Sequence, residues 1–127
     1  MRFFYLVLAL GLAACVEEPV DGRTAYLEDC AACHGVNGTG DGPAARGLAV
    51  ELPDLTTLAA RNDGVFPTNQ VMSTIDGLNR GAHFNDAMPE FGAGDMGETV
   101  IVEEDGLGTP VPMRLLVLTE YLQSIQR

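Results

Sequence analysis

Five residues, Cys30-Ala31-Ala32-Cys33-His34, constrain this chain more than any other feature. C-x-x-C-H is the spacing at which a porphyrin is attached to a polypeptide. Two thiols three positions apart, on about one turn of helix, can each add to a vinyl group of the same ring. The imidazole on the next residue then lies under the iron as its proximal ligand. Two other readings compete, a disulfide and half of a zinc site. Zinc requires about four ligands from Cys, His or carboxylate, and the only other histidine is His83. A thioredoxin-like redox pair would sit near a βαβ pattern, and none is found.

Residues 1–14 read as an export leader. Arg2 supplies the positive charge, and Phe3 to Leu12 form an apolar run too short to span a bilayer as a mature helix. The run closes on Leu12-Ala13-Ala14-Cys15, which resembles the lipobox of bacterial lipoproteins. That resemblance implies that Cys15 becomes the new N-terminus, with a diacylglycerol on its thiol and a further acyl chain on its amine. Several chains, at about 0.8 kcal/mol per buried methylene, hold a protein on a membrane more firmly than one. The alternative is an ordinary secretory leader in which the cysteine is incidental. Residues 15–20 then form a short acidic tether, and 21–127 a single domain. Loss of 1–14 from the 127 residues leaves 113, a length suited to one core.

The chain carries 7 Lys+Arg, all arginine, against 18 Asp+Glu, for a net charge of −11. Nucleic acid and anionic lipid surfaces are poor partners for such a protein. The acidity fits a redox partner that docks through a basic patch, or a simple solubility trait; composition does not choose between them.

The body of the chain predicts a small helical fold. Asp21 is suited to an N-cap, and a helix from there should run through Gly22, Tyr26 and Cys30, which share one face at i, i+4 and i+8. A closing helix is expected over about Met113 to Gln126, where Leu115, Leu118, Tyr121, Leu122 and Ile125 recur at helical spacing. With these residues the chain resembles the class I cytochromes c, all-α proteins whose N- and C-terminal helices cross at a glycine. The resemblance implies that Gly22, Tyr26, Leu118 and Tyr121 form that crossing, where a side chain in place of Gly22 would push the backbones apart. It also implies one covalently attached haem c on Cys30 and Cys33, with His34 on the iron. Such haems are attached outside the cytoplasm, which agrees with the leader.

Gly35 to Leu52 is glycine-rich and expected as loop, with turn signals at Asn37-Gly38 and Asp41-Gly42. In the family this loop passes the proximal side of the haem, and a backbone carbonyl, here of Pro43 or Gly42, accepts the free N–H of the ligand imidazole. Leu55 to Arg61, capped by Asp54, and Asn69 to Asp76, capped by Thr68 and stopped by Gly77, read as short helices. Val71, Met72 and Ile75 are expected to face the core.

Met88-Pro89 resembles the family's distal methionine loop, which makes Met88 the expected sixth ligand. A thioether favours ferrous over ferric iron, so His/Met ligation raises the potential relative to His/His. His83, five positions earlier, is the rival ligand; Met72, Met96 and Met113 lack the adjacent proline. Arg46 and Arg80 are candidates to pair with haem propionates, since a planar guanidinium suits a carboxylate. Pro43, Arg46, Arg80 and His83 thus complete the expected haem contacts.

The departure from minimal family members lies between Gly92 and Pro112. Thr99-Val100-Ile101-Val102 is β-branched and Asp105-Gly106 is a hairpin signal, so a small β-hairpin or an ordered loop is expected before the last helix. The functional expectation is a membrane-tethered periplasmic monohaem electron carrier, not an enzyme, passing single electrons between respiratory partners. The alternatives are a haem subunit of a periplasmic dehydrogenase, a small-ligand sensor or peroxidase with a displaceable sixth ligand, and a non-haem lipoprotein with a Cys30–Cys33 disulfide. Inner and outer membrane are not distinguished.

Overall fold

The computed structural model describes residues 20–78, 88–104 and 106–127. Cys15, Arg80 and His83 lie outside the described residues, and with them the leader and the tether up to residue 19. Among the described residues the fold is mostly helical, with one two-stranded antiparallel sheet, and no helix there is long and apolar enough to cross a membrane.

Helix α1 spans Gly22–Asp29. The Asp21 carboxylate caps it by accepting from the Thr24 N–H at 2.8 Å and the Thr24 hydroxyl at 2.9 Å. Those two bonds hold the Asp21 carboxyl below its usual range. The expected single helix into the haem motif is two pieces, because Cys30, with φ −118°, interrupts it before the short α2, Ala31–His34. Gly35, at φ +78°, ends that turn.

Helix α4, Met113–Ser124, lies across α1 and stops two residues short of the expected Gln126. Its Leu115, Leu118 and Leu122 bury against Ala25 and Tyr26 of α1. The backbones meet at Gly22, where an added Cβ would collide with the Val117 carbonyl oxygen and lie 3.0 Å from the Tyr121 Cβ. Four residues on, the Tyr26 and Tyr121 rings pack with centroids 5.1 Å apart and planes tilted by 43°. The Tyr26 hydroxyl, fully buried, donates to the Gly35 carbonyl at 2.6 Å. The crossing helix thus fixes the residue that follows His34.

Helix α3, Thr68–Asp76, closes the core with Val71 and Ile75, while Met72 is only partly buried against them. Its cap differs from expectation. Pro67 occupies the N-cap and Thr68 is already helical, so no side chain caps the helix. Proline suits such a start because it has no N–H that would need a partner. Gly77, at φ +99°, ends it as expected.

The expected helix 55–61 is only a 3-10 turn, Leu55–Thr57, because the Asp54 side chain binds both the N–H and the hydroxyl of Thr56, at 2.9 and 2.6 Å. Those bonds draw the chain tight over two residues. The chain end then clamps the segment. The Gln126 amide accepts from the Ala59 N–H at 2.9 Å and donates to the Leu55 carbonyl at 2.8 Å, and Arg127 reaches Thr56 and Asp54.

The hairpin is present. Strand β1, Thr99–Glu104, pairs antiparallel with β2, Leu107–Pro112. Gly106 takes φ +78° in the turn between them. At the base, the N–H groups of Met113 and Arg114 donate to the carbonyls of Glu98 and Met96, at 2.8 and 3.1 Å. Met96 is buried core.

Candidate functional site

Cys30, Cys33 and His34 line one cavity together with Met88 and Phe91, of about 890 Å³ counting the space at its open mouth. Leu48, Val50, Leu52 and Pro53 also line it, and among the described residues Asp29 and Glu51 bring the only charges to its wall. The lining is therefore mostly apolar, as a porphyrin face requires.

Local backbone chemistry assembles the proximal side. Helix α2 places both thiols and the imidazole within one turn. The glycine-rich loop then folds back on that turn, with Gly40 N–H donating to the His34 carbonyl at 2.8 Å and Gly42 N–H to the Cys33 carbonyl at 3.1 Å. The approach is close at Gly42, where an added Cβ would run into the carbonyls of Ala32 and Cys33. That return carries the chain round to Leu48, Val50 and Leu52. Elsewhere on the lining, Pro89 follows Met88 directly and a 3-10 turn, Phe91–Ala93, fixes the next residues.

Burial sets the protonation states. It lowers the His34 pKa, so the imidazole is neutral at neutral pH, the form that binds a metal. His34 Nδ1 is buried with no hydrogen-bond partner among the described residues. The Cys30 thiol is pushed up to about 12, first by burial and next by the Asp29 charge, so it stays protonated unless it reacts. Among the described residues no three His, Cys, Asp or Glu side chains gather so as to hold a bare metal ion. The donors present are instead two thiols a turn apart, a neutral imidazole and a thioether on the same mostly apolar cavity. That set fits a haem, which brings its own four nitrogens to the iron.

Four of the sequence-derived residues, Cys30, Cys33, His34 and Met88, are thus brought into one cavity. Two are not. Pro43 and Arg46 are exposed on a 3-10 turn, Pro43–Gly47, and neither lines the cavity. The expected bond from the imidazole to Pro43 or Gly42 is not made, and the Gly42 carbonyl accepts from the Ala45 N–H at 3.0 Å instead.

Sequence reasoning missed the wall residues. Leu48, Val50 and Leu52 alternate with period two, the pattern of an extended segment with one apolar side, and that signal was available inside the glycine-rich stretch. It also missed an ion pair beside the cavity. Arg114 Nε donates to Asp29 at 2.7 Å and its Nη2 to Glu28 at 2.8 Å. These bonds raise the Arg114 pKa above its ordinary value. No local pattern announces a contact across 85 positions of sequence.

The family model described as Cytochrome c matches residues 19–99, from just before α1 to the first residue of β1. No curated protein and no solved structure matches the chain.

Proposed function

The chain belongs to the cytochrome c family and carries covalently attached haem c, and from that membership we propose a membrane-tethered, periplasmic one-haem carrier that passes single electrons between respiratory partners. The observation that supports it most is the shared cavity, whose mostly apolar wall holds two thiols, an imidazole and a thioether together. When bound, the haem iron supplies a one-electron ferric/ferrous couple. Cys30 and Cys33 hold the ring by thioether bonds. His34, kept neutral by burial, would offer its imidazole to the iron, and Met88, on the same cavity, would offer its sulfur. Were His34 and Met88 both to hold the iron, the protein would leave it no open position for a substrate, which suits a carrier rather than an enzyme. Leu48, Leu52 and Phe91 keep water from the ring and so favour the less charged, reduced state.

In this proposal Cys15 bears the lipid, and the acidic chain meets a partner with a basic patch. The tether restricts encounter to the membrane plane and raises the effective concentration at that partner.

Met88→His tests the ligation. A redox titration should show the potential falling substantially while the haem stays attached; an unchanged potential removes Met88 from the iron. Cys15→Ser tests the tether. The variant should leave the membrane fraction for the soluble one, and the lipid reading fails if it fractionates as before.

A further inference from the structure

Asp29 and Arg114 take no part in attachment or ligation, yet Asp29 stands on the haem cavity and Arg114 is paired to it. Asp29 lines it, next in sequence to Cys30. Its side chain is 21 % exposed, against 59 % for Glu28, the other partner of Arg114. Arg114 donates to both carboxylates, at 2.7 and 2.8 Å. Its position is fixed from two sides. The carbonyls of Glu98 and Met96, at the base of the hairpin, accept from the N–H groups of Met113 and Arg114, and α4 itself is packed across α1. The hairpin and the crossing together deliver a guanidinium to one carboxylate on the cavity wall.

We propose that this ion pair sets the redox poise of the haem, Arg114 offsetting the Asp29 charge and so holding the reduction potential above the value that the bare carboxylate would impose. The inference rests on the haem-carrier reading. Its physics is simple. Oxidised iron carries one positive charge more than reduced iron, so an uncompensated carboxylate nearby favours the oxidised form. An apolar wall transmits that effect better than water does, whereas a charge as exposed as Glu28 is screened by solvent and salt. The Asp29 charge therefore matters more than the Glu28 charge, although one guanidinium binds both.

The experiment is a spectroelectrochemical titration of the haem-loaded full chain and four variants. Arg114→Gln should shift the reduction equilibrium threefold to tenfold toward the oxidised form, a fall of roughly 30–60 mV for a one-electron couple. Asp29→Asn should shift it by a similar factor in the opposite direction. The double variant should return to within about twofold of the parent, and Glu28→Gln should move it less than Asp29→Asn does. A merely structural pair would not give shifts of opposite sign that cancel. Single variants that move the same way, or not at all, overturn the proposal. If Arg114→Gln does not fold, Arg114→Lys keeps the charge and should titrate like the parent, while Asp29→Asn still decides the sign. A parent chain without a Soret band would sink the haem reading itself; haem-loaded variants with unchanged potentials sink only the role of the pair.

Discussion

Two regions meet at the start of α4, and they are built on opposite terms. Where α1 crosses α4, Tyr26 and Leu118 are wholly buried and two backbones touch at Gly22. In the hairpin just before α4, Val111 alone among the strand residues is buried, and Ile101 and Leu107 stand in solvent. The crossing is a core that the haem site depends on, because it holds Tyr26 against the Gly35 carbonyl beside His34. The hairpin is a latch. It touches the core through one face, with Val102 packed against it and Val111 inside it, and acts through its base, where Glu98 and Met96 hold the first turn of α4. A residue's distance in sequence from His34 therefore says little about its influence on the site.

The contrast is most exposed at Gly22. A valine there would drive its side chain into the Val117 carbonyl and the Tyr121 Cβ. Backbone cannot retreat as a flexible side chain can, so overpacking should cost about 3 kcal/mol, near the top of the usual range. Thermal or denaturant unfolding of the haem-loaded Gly22→Val chain measures it. Stability equal to the parent would show that the helices do not approach at this point.

How far the sequence foretold each region follows from the kind of force involved. The attachment motif was legible because covalent chemistry fixes residue type and spacing together at Cys30, Cys33 and His34. The crossing was legible through the family resemblance, which matches Gly22, Tyr26 and Leu118 to a crossing where close approach demands a glycine. The hairpin was legible in its β-branched run and turn. Short segments were less so: at Asp54 one carboxylate with two bonds to Thr56 tightened an expected helix into a single turn. At α3 a proline displaced Thr68 from the cap. At Gly42 a local 3-10 turn, begun at Pro43, engages the carbonyl with the Ala45 N–H three residues on. What stayed hidden was tertiary: the Arg114 pair joins the two ends of the domain across 85 positions and leaves no trace in local pattern.

The smallest effects lie within the hairpin, and they separate its two faces. The pairing sets Val100 opposite Val111 and Val102 opposite Thr109, on the side that meets the core, and Ile101 opposite Pro110 on the side that does not. A two-residue turn makes Glu104 and Leu107 a hydrogen-bonded pair, and alternation then places Pro110 and Pro112 in non-hydrogen-bonded positions. Their missing N–H groups cost the ladder nothing there. A slip of one residue would bring both prolines to positions that need a donor and would turn Val111 outward, so the register is doubly fixed. Val111→Ala should therefore cost about 2 kcal/mol through lost burial and an imperfectly closed cavity. Ile101→Thr, at a position 65 % exposed, should change stability by less than about 0.5 kcal/mol. Parallel melts of the two variants test the latch: comparable losses would mean that the outer face is also covered, and equal indifference would mean that the hairpin does not grip the core through Val111.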